Sequence, residues 1–147
     1  MTYVVGIKRY GMVAIICDTE VTYSPSGKKA PYFIKNGRLF AGCSYGISGC
    51  LDSANAFIIN IQNTVSEFDN ARKSWREFTR DLKNHPFHRL YNPFEMIISS
   101  NAPAGRPELF HLRSHPKDGQ HLIRIREDIL TIGSGKRLLD ECLLDFH

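Results

Sequence analysis

Apolar residues in this chain recur at two spacings, and the two spacings are kept apart along it. Residues 2–9 (TYVVGIKR) and 11–17 (GMVAIIC) read as two strands around Tyr10-Gly11, and the short connection marks a hairpin. The stretch DTEVTYSPSGKK that follows is rich in turn formers and reads as a loop with strand at its edges. APYFI and RLFAG, on either side of KNG, read as a second hairpin with Asn36-Gly37 as its type I′ turn. From about Ser48 the period lengthens. Leu51, Ala54, Ile58, Ile61, Val65 and Phe68 fall three or four apart, which places them on one face of a helix of about five turns. Asp69-Asn70 interrupts that stripe and caps a second helix, where Trp75, Phe78 and Leu82 repeat the spacing through Asn84. After the break HPFHRLYNP, strand-like runs return as FEMIISS, PELFHLR, HLIRIR and DILTIGSG. KRLLDECLLDF then opens a last helix with Leu138, Leu139, Cys142 and Leu143 inward. Strands in one block and helices in the next predict an α+β fold. The expected architecture is two antiparallel sheets with helices outside.

A chain of 147 residues fits one domain, residues 1–147, and is long enough to bury a core without metals or staples. The net charge of +4 comes from scattered Lys and Arg with no run of five, so no nucleic-acid partner is expected. No run of eighteen apolar residues is present, so no membrane span is expected. Four Cys, at positions 17, 43, 50 and 142, lack a CxxC spacing. With no signal peptide at the start, they read as reduced thiols and the address as cytoplasmic. GSGKRLL hints at a phosphate loop, but that motif needs Gly where Leu130 stands and Ser or Thr where Arg137 stands. His85 and His88 have no Cys partners, and Pro86 between them disfavours a regular helix, so neither a metal nor a cofactor is expected.

Thr2 carries the sharpest chemical argument. Methionine before so small a residue is ordinarily excised, and excision leaves Thr2 with an α-amine beside its own hydroxyl. An α-amine has an ordinary pKa of about 7.7–8.0, so it accepts a proton near neutrality, which an unassisted Lys at about 10.4 does not. A Thr hydroxyl is a weak nucleophile until such a base takes its proton. One residue thus supplies both reagents, provided it is held rigidly. The strand pattern that begins at Thr2 itself is what that requirement predicts.

TYVVGIKRYGMVAIICD resembles the start of proteasome β subunits and of the bacterial HslV-type peptidase, with a leading Thr, a Gly at the first hairpin and an acid ending the second strand. GKKAPYFIKNGRLFAG is similar to that family's Lys-containing stretch leading into Ala-Gly, and LTIGSG to its Gly-Ser-Gly before a helix. The resemblance spans nearly the whole chain and implies an N-terminal-nucleophile hydrolase, a four-layer αββα sandwich. It implies Thr2 as nucleophile and, through its amine, as proton acceptor. Asp18 would orient a Lys, which would be Lys29 with Lys28 as its rival. The Gly42 N–H would form the oxyanion site, and Ser134 would relay the proton of the Thr2 amine. The relatives continue well past the helix after Gly-Ser-Gly, so a sandwich shortened at its C-terminal end is expected.

The resemblance also implies a homo-oligomeric ring that hydrolyses unfolded polypeptide with the help of an ATP-dependent unfoldase. Two other functions stay open at this point: a non-catalytic scaffold subunit of the same fold, and a small-molecule amidase. Each residue also has an ordinary structural reading. Asp18 ends a strand, Lys28 and Lys29 solvate a loop, Gly42 sits in a bulge, and Ser134 caps a helix.

Overall fold

The computed structural model describes residues 2–19, 21–23, 28–30, 34–40, 42–64, 92–100, 107–136 and 141. Strands β1 (Val4–Arg9) and β2 (Met12–Cys17) form the expected first hairpin. Its turn residues, Tyr10 and Gly11, have φ of 52° and 73°, the doubly positive pair whose twist matches that of two joined strands. Strands β3 (Val21–Tyr23) and β4 (Lys28–Ala30) pair in a small ribbon of their own.

The second hairpin differs from its reading in the sequence. Asn36-Gly37 does not turn; it opens strand β5 (Asn36–Phe40), which runs antiparallel to β6 (Cys43–Gly49). Gly37 lies opposite Tyr45, and a Cβ there would come within 2.8 Å of the Tyr45 hydroxyl. Its value is room for that ring rather than a left-handed backbone. The turn falls instead between Phe40 and Cys43, where Gly42 has φ +72°.

Helix α1 (Leu51–Thr64) follows, then strands β7 (Phe94–Ser100), β8 (Glu108–His115), β9 (Gly119–Ile125) and β10 (Ile129–Ile132). The helix expected after Asp69 and most of the last helix lie outside the described residues, as does the last turn expected of the first helix.

The strands assemble into two main antiparallel sheets, one ordered β10-β1-β2 and one ordered β5-β6-β7-β8-β9. Strand β7 shows why its middle, Met96-Ile97-Ile98, is apolar without a break. Met96 and Ile98 point to one face, against Phe57, Ile58 and Ile61 of α1. Ile97 points to the other, against Val4, Leu109 and Ile132 between the sheets. Where both faces of a strand are covered, as at these three residues, no position is left for an alternating polar residue. Each such aliphatic side chain, fully buried, contributes about 1.5–3 kcal/mol. Among the described residues the layers are therefore helix, five-stranded sheet and three-stranded sheet, and the start of β1 lies at one end of the space between the two sheets.

Candidate active site

Thr2 and Tyr3 precede β1 and extend its two ladders. On one side Asp18 N–H donates to the Tyr3 carbonyl at 3.0 Å; on the other Gly135 N–H donates to the Thr2 carbonyl at 2.9 Å. The Thr2 N–H in turn donates to Ser134 Oγ at 2.8 Å. The Gly-Ser-Gly sequence is required by this closeness. A Cβ at Gly133 would overlap the Thr2 carbonyl, and one at Gly135 would overlap the Tyr3 ring. Two residues without side chains thus let the chain pass close enough for the Ser134 hydroxyl between them to reach the Thr2 nitrogen.

Asp18 directly follows β2 and uses both carboxylate oxygens. Oδ1 accepts from Tyr3 N–H at 2.8 Å, and Oδ2 accepts from Lys35 Nζ at 2.9 Å. The same ammonium lies 3.4 Å from Thr2 Oγ1. Lys35 is almost wholly buried, and its backbone is fixed because its carbonyl accepts from Ile47 N–H at 2.8 Å. A buried ammonium is tolerated only with a charged partner, which Asp18 supplies. The ammonium then stabilises negative charge on the Thr2 oxygen, which favours its deprotonation. Cys17, next in the chain, registers the same field: burial pushes its thiol up to about 11, and the Asp18 carboxylate adds to the rise.

The structure brings Thr2, Asp18 and Ser134 together and leaves two of the expected residues elsewhere. Lys29 lies in β4 opposite Thr22, and Lys28 opposite Tyr23. The lysine between Thr2 and Asp18 is Lys35, the residue just before β5. It escapes a sequence reading that makes Asn36-Gly37 a turn, because Lys35 then flanks a loop instead of entering a strand.

Gly42 is displaced as well. Thr2 lies beside Ser48, since a Cβ on Gly133 would meet both the Thr2 carbonyl and Ser48 Oγ. Gly42 is at the far end of β6 from Ser48, roughly 20 Å away at about 3.3 Å per residue. The glycine at the near end is Gly49. Cys50 N–H donates to the Pro93 carbonyl, so even-numbered residues of β6 direct their N–H groups to β7. Odd-numbered residues direct theirs the other way, as Ile47 does toward the Lys35 carbonyl. The Gly49 N–H therefore points to the Lys35 side, immediately ahead of α1. The signal in the sequence was the position of Gly49 directly before the helical stripe.

Together these groups offer a hydroxyl beside an ammonium, a nitrogen beside a hydroxyl, and a backbone N–H at a helix start. Among the described residues no group of three or more His, Cys, Asp or Glu is placed to hold a metal ion, and no helix is long and apolar enough to cross a membrane.

No protein-family model matches the chain, and no curated protein matches its sequence. Solved structures do match its fold. Eukaryotic HslV from Trypanosoma brucei superposes with a TM-score of 0.70 at 17% identity, over 97% of this chain and 78% of the HslV chain. A mutant of Anbu from Hyphomicrobium sp. strain MC1 superposes with a TM-score of 0.67 at 18% identity, over 96% of this chain and 65% of the Anbu chain. The fold is that of the N-terminal-nucleophile hydrolase sandwich.

Proposed function

We propose that this chain is a threonine-type peptidase subunit of a proteasome-like or HslV-like ring. The observation that carries the reading is that both atoms of Thr2 needed for the chemistry have a partner suited to it. Lys35 Nζ lies against Oγ1, and Ser134 Oγ accepts from the nitrogen.

Removal of Met1 turns that nitrogen into an amine. The amine takes the hydroxyl proton as Oγ1 adds to the substrate carbonyl carbon. Lys35, held by Asp18, stabilises the oxygen as it becomes anionic. The carbonyl oxygen gains negative charge and is met by the Gly49 N–H at the start of α1; a donor of this kind typically contributes about 2.7–4 kcal/mol. Collapse breaks the C–N bond, and the leaving amine takes the proton back from the Thr2 ammonium, with Ser134 steadying that group. Water, deprotonated by the same amine, then hydrolyses the ester and regenerates Thr2.

The fold shared with HslV supports a ring of identical subunits, fed with unfolded polypeptide by an ATP-driven partner. Intact-mass and N-terminal sequence analysis of the purified protein tests the reading. Expected are loss of Met1 and a covalent adduct at Thr2 with a peptide epoxyketone, absent in Thr2→Ala. Retained Met1 with no adduct would overturn it and leave a non-catalytic subunit of the same fold.

A further inference from the structure

The space between the two sheets is apolar around Ile97 and Leu109, then changes character one row further along. Ser48 of β6 pairs with Glu95 of β7, and Glu95 with Arg113 of β8. These residues alternate onto the same face as Ile97 and Leu109, so the row continues the inter-sheet face past the end of β10. There the sheets part into a cleft of about 480 Å³, lined by Ser48, Gly49, Glu95, Arg113, Ser134 and Lys136 among others.

Its described lining carries more positive than negative side chains. Glu95 Oε1 lies 3.5 Å from Arg113 Nε, and Oε2 lies 3.7 Å from His111 Nε2. Lys136 stands on the opposite wall, its Nζ donating to Thr131 Oγ1 at 3.3 Å. His111, Arg113 and Lys136 hold the Glu95 carboxyl below the usual range against the opposing effect of burial. Among the described lining residues, two permanent cations thus accompany one carboxylate, which its strand neighbour already engages.

The position of the cleft defines which part of a substrate would enter it, granted the reading proposed above, on which this inference rests. The departing amine must collect its proton at the Thr2 nitrogen, which bonds Ser134. Ser134 lines the cleft, as does Gly49. The leaving-group side of the substrate is therefore the side that faces Arg113 and Lys136. We propose that the cleft between Glu95, Arg113 and Lys136 is a subsite for a carboxylate on the leaving-group side of the scissile bond. The carboxylate belongs either to an acidic side chain or to the C-terminus of a short peptide, which share one chemistry.

Two measurements separate this proposal from the reading beneath it. Cleavage of a peptidyl aminomethylcoumarin, whose leaving group is uncharged, and its loss in Thr2→Ala test that reading alone. Titration calorimetry of leaving-side dipeptides with the full chain tests the cleft whether or not a bond is cut. Glu-Ala amide presents only a side-chain carboxylate, Ala-Ala only a terminal one, and Ala-Ala amide neither. At least one carboxylate-bearing dipeptide should bind about fivefold or more tightly than Ala-Ala amide at low salt, an advantage that shrinks as salt rises. A gain for Glu-Ala amide assigns an acidic side chain; a gain for Ala-Ala assigns a chain end. The advantage should vanish in Arg113→Gln/Lys136→Gln and fall in Lys136→Glu, a single change at an exposed position. Equal binding of all three dipeptides, or an advantage that survives these substitutions, overturns the proposal.

Discussion

Lys35 Nζ lies 2.9 Å from Asp18 Oδ2, and only one of the two groups is sealed from water: the lysine side chain is 2% exposed, the aspartate 20%. The pair should therefore fail unequally. Asp18→Asn strands a buried ammonium, which costs about 3–5 kcal/mol. Lys35→Met leaves a carboxylate that water reaches and that still accepts from Tyr3 N–H, so its cost is smaller. Denaturant midpoints of the two variants should fall in that order; equal losses would show that the lysine is as well hydrated as its partner.

Activity should separate the two candidate lysines. With its ammonium 3.4 Å from Thr2 Oγ1, Lys35 is placed to lower the barrier to attack. Lys35→Ala should lower kcat by about 100-fold or more, the usual scale for losing a group that stabilises developing negative charge. Lys29→Ala, in the β3–β4 ribbon, should leave kcat close to wild type. A large loss in Lys29→Ala would place that residue, not Lys35, in the reaction.

The two glycines at the ends of β6 give a paired prediction. Gly42 has φ +72° with nothing within 4 Å of a Cβ, so Gly42→Ala carries only the left-handed backbone cost of about 1–2 kcal/mol, with kcat unchanged. Gly49 has φ +97°, and a Cβ there would come within 2.9 Å of Phe94 Cα and of the Pro93 carbonyl. Both obstacles are backbone and do not swing aside. Gly49→Ala should lose more stability than Gly42→Ala, and also lose activity as its N–H is displaced. Thermal melts and turnover on one peptide substrate check both.

What the sequence made legible follows from how local each signal is. Thr2 and Asp18 meet because the turn at Tyr10-Gly11 fixes the register of one hairpin, and that turn is written in adjacent residues. Ser134 reaches Thr2 through two glycines whose spacing is equally local. Lys35 and Gly49 depended on how β5 and β6 are laid down, and CSYGISG carries too few apolar residues to announce a strand. Its Gly46 is chosen for the neighbouring sheet, a tertiary demand that no local pattern displays. With β6 unread, Ala41-Gly42 took the place of Gly49, and Asn36-Gly37 took the place of the true turn.

The cysteines should differ sharply in reactivity. Burial pushes the Cys43 thiol up to about 12 and the Cys17 thiol up to about 11. At Cys50 burial also raises the value, but hydrogen bonds with Ser53 and Asn92 outweigh it and hold the thiol below its ordinary 9.0. Because the thiolate is the reactive form, iodoacetamide at pH 8 should label Cys50 well before Cys17 or Cys43, as peptide mass mapping would show. The raised pair also sets a sign. Between pH 9.0 and about 11 to 12 the unfolded chain loses thiol protons that the folded chain keeps, so stability falls as pH rises through that window. Alkylation at equal rates would contradict the burial of Cys43.

At Gly46 the two sheets approach closely below the site. A Cβ there would approach Val4 Cγ1 and Ile15 Cγ2 to 2.7 Å and Cys17 Sγ to 2.9 Å, so Gly46→Ala forces β6 away from the β1–β2 hairpin. Overpacking of this kind costs about 1–3 kcal/mol. The strain should reach the chemistry too, because β1 and β2 carry Thr2 and Asp18 while the Lys35 carbonyl is bonded to Ile47 beside Gly46. Separation of the sheets lengthens the contact between Lys35 and the other two. Val4→Ala alone should also destabilise, since Val4 is fully buried. If the clash is the cause, Val4→Ala/Gly46→Ala should recover part of both losses, because the methyl added on β6 enters the space vacated on β1. A double-mutant cycle on melting temperature and kcat measures this directly. A double variant whose losses simply add would mean that Val4 does not set the sheet spacing.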